Sequence, residues 1–203
     1  MKIKLTKTEL KAQKDALARF SRYLPMLQLK KQQLQLEITH IDVFLDEVNT
    51  RYAAAETALK KWARLFADPC AGKTLETLCT LTAIQTIPGN IAGVKIPVFK
   101  SVNLDLPEQD PFRTPAWVDD AQTQLTELLT LRAKASIFET QRELVAAELL
   151  TTSQRVNLFE KIKIPQCREA IRVITIALGD EQTAGVIRGK IAKGRHQNNG
   201  EAA

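Results

Sequence analysis

The sequence predicts a mainly α fold: a long antiparallel two-helix coiled coil formed by the N- and C-terminal segments, with a small inserted head containing a short β-hairpin. Three observations carry this reading. A seven-residue apolar repeat runs unbroken from residue 10 to residue 66. A second repeat starts near residue 118 and persists to about residue 178. Six of the eight prolines fall between them, in residues 69–115. The boundaries are therefore an N-terminal helix over 1–68, a head over 69–115, a C-terminal helix over 116–194 and a flexible tail over 195–203.

In the first helix, heptad position a is held by Leu10, Leu17, Leu24, Lys31, Ile38, Leu45, Tyr52, Leu59 and Phe66. Position d is held by Gln13, Phe20, Leu27, Leu34, Ile41, Val48, Ala55 and Trp62. Only Gln13 and Lys31 are polar among these 17 positions, which is the pattern of an a/d seam in a left-handed coiled coil. A helix from Thr6 to Phe66 rises on the order of 90 Å. Pro25 removes a helical hydrogen bond and crowds the residue before it, so a kink or break is expected near Tyr23-Leu24. Asp68-Pro69 and Gly72 give the stop signal.

The head reads differently. Leu75–Thr86 fits a short helix or a strand equally well. Ile91–Phe99 and Val102–Leu104 are rich in β-branched residues and read as short strands, bounded by Pro88-Gly89-Asn90 and Leu106-Pro107. Pro97 inside the run implies an edge strand.

The second helix has Thr114 as N-cap, Pro115 at its first position and Asp119 and Asp120 near its positive end. Its seam runs Val118, Ala121, Leu125, Leu128, Leu131, Ala135, Phe138, Arg142, Val145, Leu149, Thr152, Val156 and Phe159. Pro165 interrupts it. Ile164, Cys167, Ile171, Ile174 and Leu178 resume the spacing, and the chain is expected to fray after Gly194. Two such helices bury their seams by folding back on one another, which puts the head at one tip and both termini at the other.

Charge placement adds to this. The chain carries a net +6. Residues 1–22 hold seven Lys/Arg against two acids, and residues 188–203 hold four against one, so the middle is slightly negative. Basic ends on a near-neutral body fit an anionic or acidic-lined partner near the termini. Glu37, Asp42, Asp46 and Glu47 form an acidic stretch on the first helix, either a solvated face or an ion-pairing surface.

Catalytic and metal chemistry find little support. Three cysteines (Cys70, Cys79, Cys167) and two distant histidines (His40, His196) make neither a disulfide framework nor a zinc site. His40 sits on the helix surface, two residues after Ile38. Ala71-Gly72-Lys73-Thr74 lacks the earlier glycine and the preceding strand of a phosphate loop. No cofactor or metal is implied. No apolar run reaches the roughly 18 residues of a membrane span, and Met1-Lys2-Ile3-Lys4 does not open a signal peptide.

Several words of the sequence resemble one family. Lys7-Thr8-Glu9-Leu10, Leu27-Gln28-Leu29-Lys30-Lys31-Gln32-Gln33-Leu34, and Arg155-Val156-Asn157-Leu158-Phe159-Glu160 followed by Ile164-Pro165 and Ile171 are similar to words of the D subunit of V-type and archaeal A-type rotary ATPases/ATP synthases. The third is the most specific, and Asn90–Pro97 of the head is also similar. Gln28 and Gln32 depart from the family's usual residues and suggest a bacterial branch. The resemblance implies a central-stalk rotor shaft in ATP synthesis and ion transport, without catalysis of its own. It implies that the terminal halves of the helices sit inside the ring of catalytic A and B subunits. It further implies that the head binds the small F subunit of the rotor, and that the shaft docks on the funnel-like subunit above the membrane ring. Localisation would be cytoplasmic and peripheral to the membrane. Ring contacts would come from Lys11, Lys14, Arg19, Arg22, Arg188 and Lys190, and head contacts from Ile91, Val94, Ile96 and Val98.

The alternative is a coiled-coil binding arm, either nucleic-acid binding or a prefoldin-like chaperone. Nucleic acid would call for aromatics interleaved with the basic groups. Here Phe20, Tyr52, Trp62, Phe66, Phe138 and Phe159 occupy the seam, which favours core over stacking. A prefoldin-like chain would expose apolar helix tips, whereas this tip is charged.

Overall fold

The computed structural model describes residues 4–61, 79–106 and 117–200, with side chains described up to Gly194. Helix α1 spans Lys7–Lys60, strand β1 Thr80–Ile91, strand β2 Val94–Asp105 and helix α2 Val118–Leu158. A π-helical turn, Phe159–Lys163, leads into helix α3, Ile164–Gly200. The fold is mainly α with one antiparallel hairpin. Two compact units emerge: one joins the start of α1 up to Leu29 with the chain from Thr152 onward, and the other is Lys30–Thr151.

Thr6 starts α1. The Glu9 amide donates to its hydroxyl at 3.3 Å, which satisfies one of the orphan donors of the first turn, and the Leu10 amide donates to its carbonyl at 3.0 Å as the first intrahelical bond. Along α1 every described a and d residue is partly or fully buried, Gln13 and Lys31 included. Trp62, Phe66 and the Asp68-Pro69 stop lie outside the described residues, as do Cys70, residues 71–78 and the Thr114-Pro115 start. The expected break at Pro25 does not occur: α1 is continuous through it. Proline removes one hydrogen bond, and the flanking turns with their buried seam hold the path.

In the 30–151 unit the two helices run antiparallel. Lys30 pairs with Glu148 and Asp42 with Arg142, both at 2.6 Å, and the Phe44 ring stacks on Phe138 with centroids 6.0 Å apart. Leu34, Ile41 and Val145 form the centre of the core, with Ile38, Phe138 and Leu149 packed around them. Leu34 is fully buried, which stabilises by about 1.5–3 kcal/mol. Arg142, placed in the seam by the sequence pattern, instead leans outward to reach Asp42.

The hairpin differs from expectation in two ways. The turn is at Ala92-Gly93, both with positive φ, as a two-residue hairpin loop requires. Ile91–Phe99 therefore crosses the turn rather than forming one strand, and Pro88-Gly89-Asn90 lies within β1. Gly89 is needed for close approach: a Cβ there would sit 2.6 Å from Val98 Cγ2 and 3.4 Å from Ile96 Cγ1. The hairpin also does not stand as a head at the helix tip. Ile96 enters the Leu34–Ile41–Val145 core, and Ile91, Ala92 and Val94 pack against it, so the hairpin lies along the helices. A second buried row on α2, Ala133, Ile137 and Gln141, accompanies this, and Gln141 donates its amide to the Pro97 carbonyl.

In the other unit Phe20 meets Phe159 with centroids 4.9 Å apart, and Val156, Ile164, Cys167, Ala170 and Ile174 are buried. Pro165 does not end the helix. The Ile164 amide bonds to the Phe159 carbonyl five residues back. This wider turn relieves the carbonyl that the proline ring would strike, and leaves Pro165 in the first turn of α3, where its missing N–H matters least. The extra residue accounts for the five-residue seam step from Phe159 to Ile164. Past Gly194, where fraying is expected, α3 continues to Gly200.

Two glycine substitutions should separate these environments. Gly89→Ala is expected to destabilise by about 1–3 kcal/mol through overpacking against β-branched neighbours. Gly179→Ala, with nothing within 4 Å of its added Cβ, should stabilise α3 by about 0.5–1 kcal/mol. Urea denaturation of both variants checks the pair, and equal effects would contradict the close approach at Gly89.

Candidate functional site

Within the first unit, Lys11, Lys14, Arg19 and Arg22 are exposed on α1, and Arg188 and Lys190 are exposed on α3. The structure does not bring all six together. Gln13, Ala16 and Phe20 of α1 share a groove of about 480 Å³ with Lys163, Gln166 and Ala170. Arg188 is eighteen residues beyond Ala170, about 27 Å further along a helix. Because α1 begins at Lys7, α3 outruns it. From Gly179 to Gly194 every α3 residue is exposed, including Val186, Ile187 and Ile191. The basic groups thus fall into two sets, one on the paired part and one on the single-helix extension. The sequence pattern sets them side by side because helix start points cannot be read from a repeat alone.

Of the four apolar hairpin residues singled out from sequence, Ile96 is buried and Ile91 and Val94 are packed against the internal core. Val98 stays exposed. The residues that face outward were missed: Leu81, Ile84 and Ile87 on β1. A signal existed, since Thr80–Ile91 contains no charged residue, which is unusual for an exposed edge strand. The register carries an irregularity between Leu81 and Ala83 and another between Gln85 and Thr86, and such bulges add local twist. Beside β2, a cleft of about 310 Å³ is walled by Phe44, Val48, Val98, Phe99, Phe138 and Gln141. Lys134 lies 5.3 Å from the Phe99 ring centroid, a cation–π contact.

The six basic groups and the outward hairpin residues lie on exposed surface. Among the described residues no cluster of three or more His, Cys, Asp or Glu is placed to hold a metal. Cys167 is buried in the seam and Cys79 is partly buried, and both thiols are free. His40 is exposed, with Nδ1 3.9 Å from a Glu37 carboxylate oxygen. No helix among the described residues is long and apolar enough to cross a membrane. The Glu169 carboxyl is held below the usual range chiefly by the hydrogen bond from Arg172.

Comparison with known proteins bears on what these surfaces serve. A family model described as the D subunit of ATP synthase matches residues 9–194. The chain is 42% identical over 192 residues to the V-type ATP synthase D subunit of Borreliella burgdorferi, covering 95% of this chain and 94% of that protein. It is 32% identical over 193 residues to the protein of the same name from Chlamydia pneumoniae, covering 95% and 92% of the two chains. With the one from Chlamydia trachomatis it shares 33% identity over 199 residues, or 98% of each chain.

The Glu169–Arg172 pair gives a pH expectation. A lowered folded-state value favours the ionised carboxylate, so the contribution is present at neutral pH and lost as pH falls through the acid range. Carboxyl NMR titration should show Glu169 titrating at lower pH in the wild type than in Arg172→Gln. Coincident curves would contradict the pairing.

Proposed function

This chain belongs to the family of ATP synthase D subunits, and from that membership we propose that it is the central rotor shaft of a V/A-type rotary ATPase, carrying torque between the catalytic ring and the membrane ion-translocating rotor. The observation that carries this reading is the similarity over nearly the whole chain, from residue 9 to residue 194, coupled to a continuous apolar seam on α1. A shaft must resist twisting, and its two helices must not slide along one another. Knobs-into-holes packing supplies both, because each buried a/d side chain is locked among residues of the facing helix. The chain itself does no bond chemistry in this reading; it moves between subunits that do.

Three contacts follow for the shaft. Lys11, Lys14, Arg19 and Arg22, with Arg188 and Lys190 on the extension of α3, meet the interior of the A/B ring. Their charge suits an acidic lining, and the apolar Val186, Ile187 and Ile191 suit a smooth sleeve around the extension. The small F subunit and the funnel-like subunit above the membrane ring bind elsewhere on the shaft. For the hairpin, the available apolar residues are Leu81, Ile84, Ile87 and Val98, since Ile91, Val94 and Ile96 are committed to the chain's own core. The chain is held at the cytoplasmic side of the membrane through the complex, without inserting in it and without nucleic acid.

Charge reversal tests the ring contact. Lys11→Glu, Lys14→Glu, Arg188→Glu and Lys190→Glu together should leave helix content unchanged, because all four are exposed. Recovery of the A/B ring with the tagged chain is expected to fall several-fold, with the residual binding altered in its salt dependence. Recovery equal to wild type at every salt concentration would sink the ring-interior assignment.

A further inference from the structure

Helix α3 changes character part-way along. Its first part, up to Leu178, buries Ile164, Cys167, Ala170 and Ile174 and carries the Glu169–Arg172 ion pair. From Asp180 to Gly194 every residue is exposed, so no burial fixes the helix there. Intrinsic propensity does not take the place of burial. Gly185, Gly189 and Gly194 stand inside the helix with nothing within 4 Å of an added Cβ, and each lowers the helical population about fivefold relative to alanine. Side-chain pairing does not take its place either. Asp180 and Glu181 are the acids of this segment, and three and four places after them stand Thr183, Ala184 and Gly185, with no base among them. Lys190 and Lys193 are like charges one turn apart, which opposes the helix.

A segment of this length is a marginal helix in water even when it is rich in alanine. We infer that Asp180–Gly194 folds on capture: it is coil in the free chain and is held as a helix by a partner that encloses it. The exposed side chains state the chemistry of that partner. Val186, Ile187 and Ile191 are all exposed and share one side of the helix at 100° per residue, so the wall they meet is apolar. Arg188, Lys190 and Lys193 outnumber Asp180 and Glu181, so the wall also carries acidic groups, which relieve the repulsion between the lysines. Ordering the segment consumes part of the binding free energy. A partial enclosure that leaves the apolar side in water does not supply it. Insertion of the segment is thereby tied to closure of the partner around it. The inference rests on the proposed function only for the identity of that partner, the interior of the A/B ring.

Amide hydrogen exchange tests this on the full chain, free and within the assembly purified from native cells through the tagged chain. In the free chain, amides of residues 184–194 are expected to exchange within about tenfold of the unstructured rate, while those of residues 168–178 exchange at least about a hundredfold more slowly. In the assembly, residues 184–194 are expected to slow by about a hundredfold or more. Gly185→Ala, Gly189→Ala and Gly194→Ala combined favour the helix by about a hundredfold, so protection of this segment should appear in the free variant. Wild-type residues 184–194 as protected as 168–178 in the free chain would overturn the inference. So would a free triple variant that exchanges like the wild type. The assembly separates this inference from the proposed function. An A/B ring that co-purifies while residues 184–194 exchange as in the free chain overturns the inference alone. Protection of residues 184–194 in an assembly lacking the ring overturns the shaft reading and leaves folding on capture standing.

Discussion

Everything described here depends on the burial of one apolar seam. Neither helix could hold its length in water on propensity alone, because isolated helices gain too little per turn to resist fraying. Leu34, Ile41 and Val145 at the centre of one unit, and Val156, Cys167 and Ile174 in the other, are the residues whose removal from water fixes the helices. The ion pairs between Lys30 and Glu148 and between Asp42 and Arg142 are partly exposed. Such pairs contribute about 0–1 kcal/mol each, so they specify register more than they stabilise. The hairpin depends on the same seam, since Ile96 completes the core that Leu34 and Val145 begin.

The two prolines show how the seam governs the backbone. Pro25 is carried inside α1 without a break, at the cost of one hydrogen bond. Pro165 is met by a different device. The π turn at Phe159–Lys163 inserts one residue, so the apolar face that ends at Phe159 is taken up again at Ile164. A seam that must stay in register tolerates a local change of helix type more readily than a loss of packing. That stiffness is what a torque-carrying shaft needs.

Much of the fold was legible because a heptad repeat is a long and redundant signal: fifteen described a/d positions on α1 are all at least partly buried. The positions of the elements relative to one another were harder. A repeat fixes which face is buried but not where the partner starts, so neither the overshoot of α3 beyond α1 nor the separation of Arg188 from Lys11 can be read from it. The hairpin turn is hidden because Ala92 adopts a positive φ that alanine rarely adopts, while Pro88-Gly89-Asn90 displays the stronger turn composition. The docking of the hairpin along the helices is hidden because Ala133, Ile137 and Gln141 read as an ordinary flank of the seam. Its outward residues on β1 were legible in principle, through the absence of charge from Thr80 to Ile91.

The central claim is that this chain turns while the catalytic ring stands still. The direct measurement fixes the assembled complex to glass through its catalytic subunits and attaches a bead to Thr82→Cys, an exposed position on β1. With ATP the bead is expected to rotate continuously in one direction, and to stop when ATP is removed. A bead that stays fixed relative to the ring while the complex hydrolyses ATP would contradict the shaft assignment.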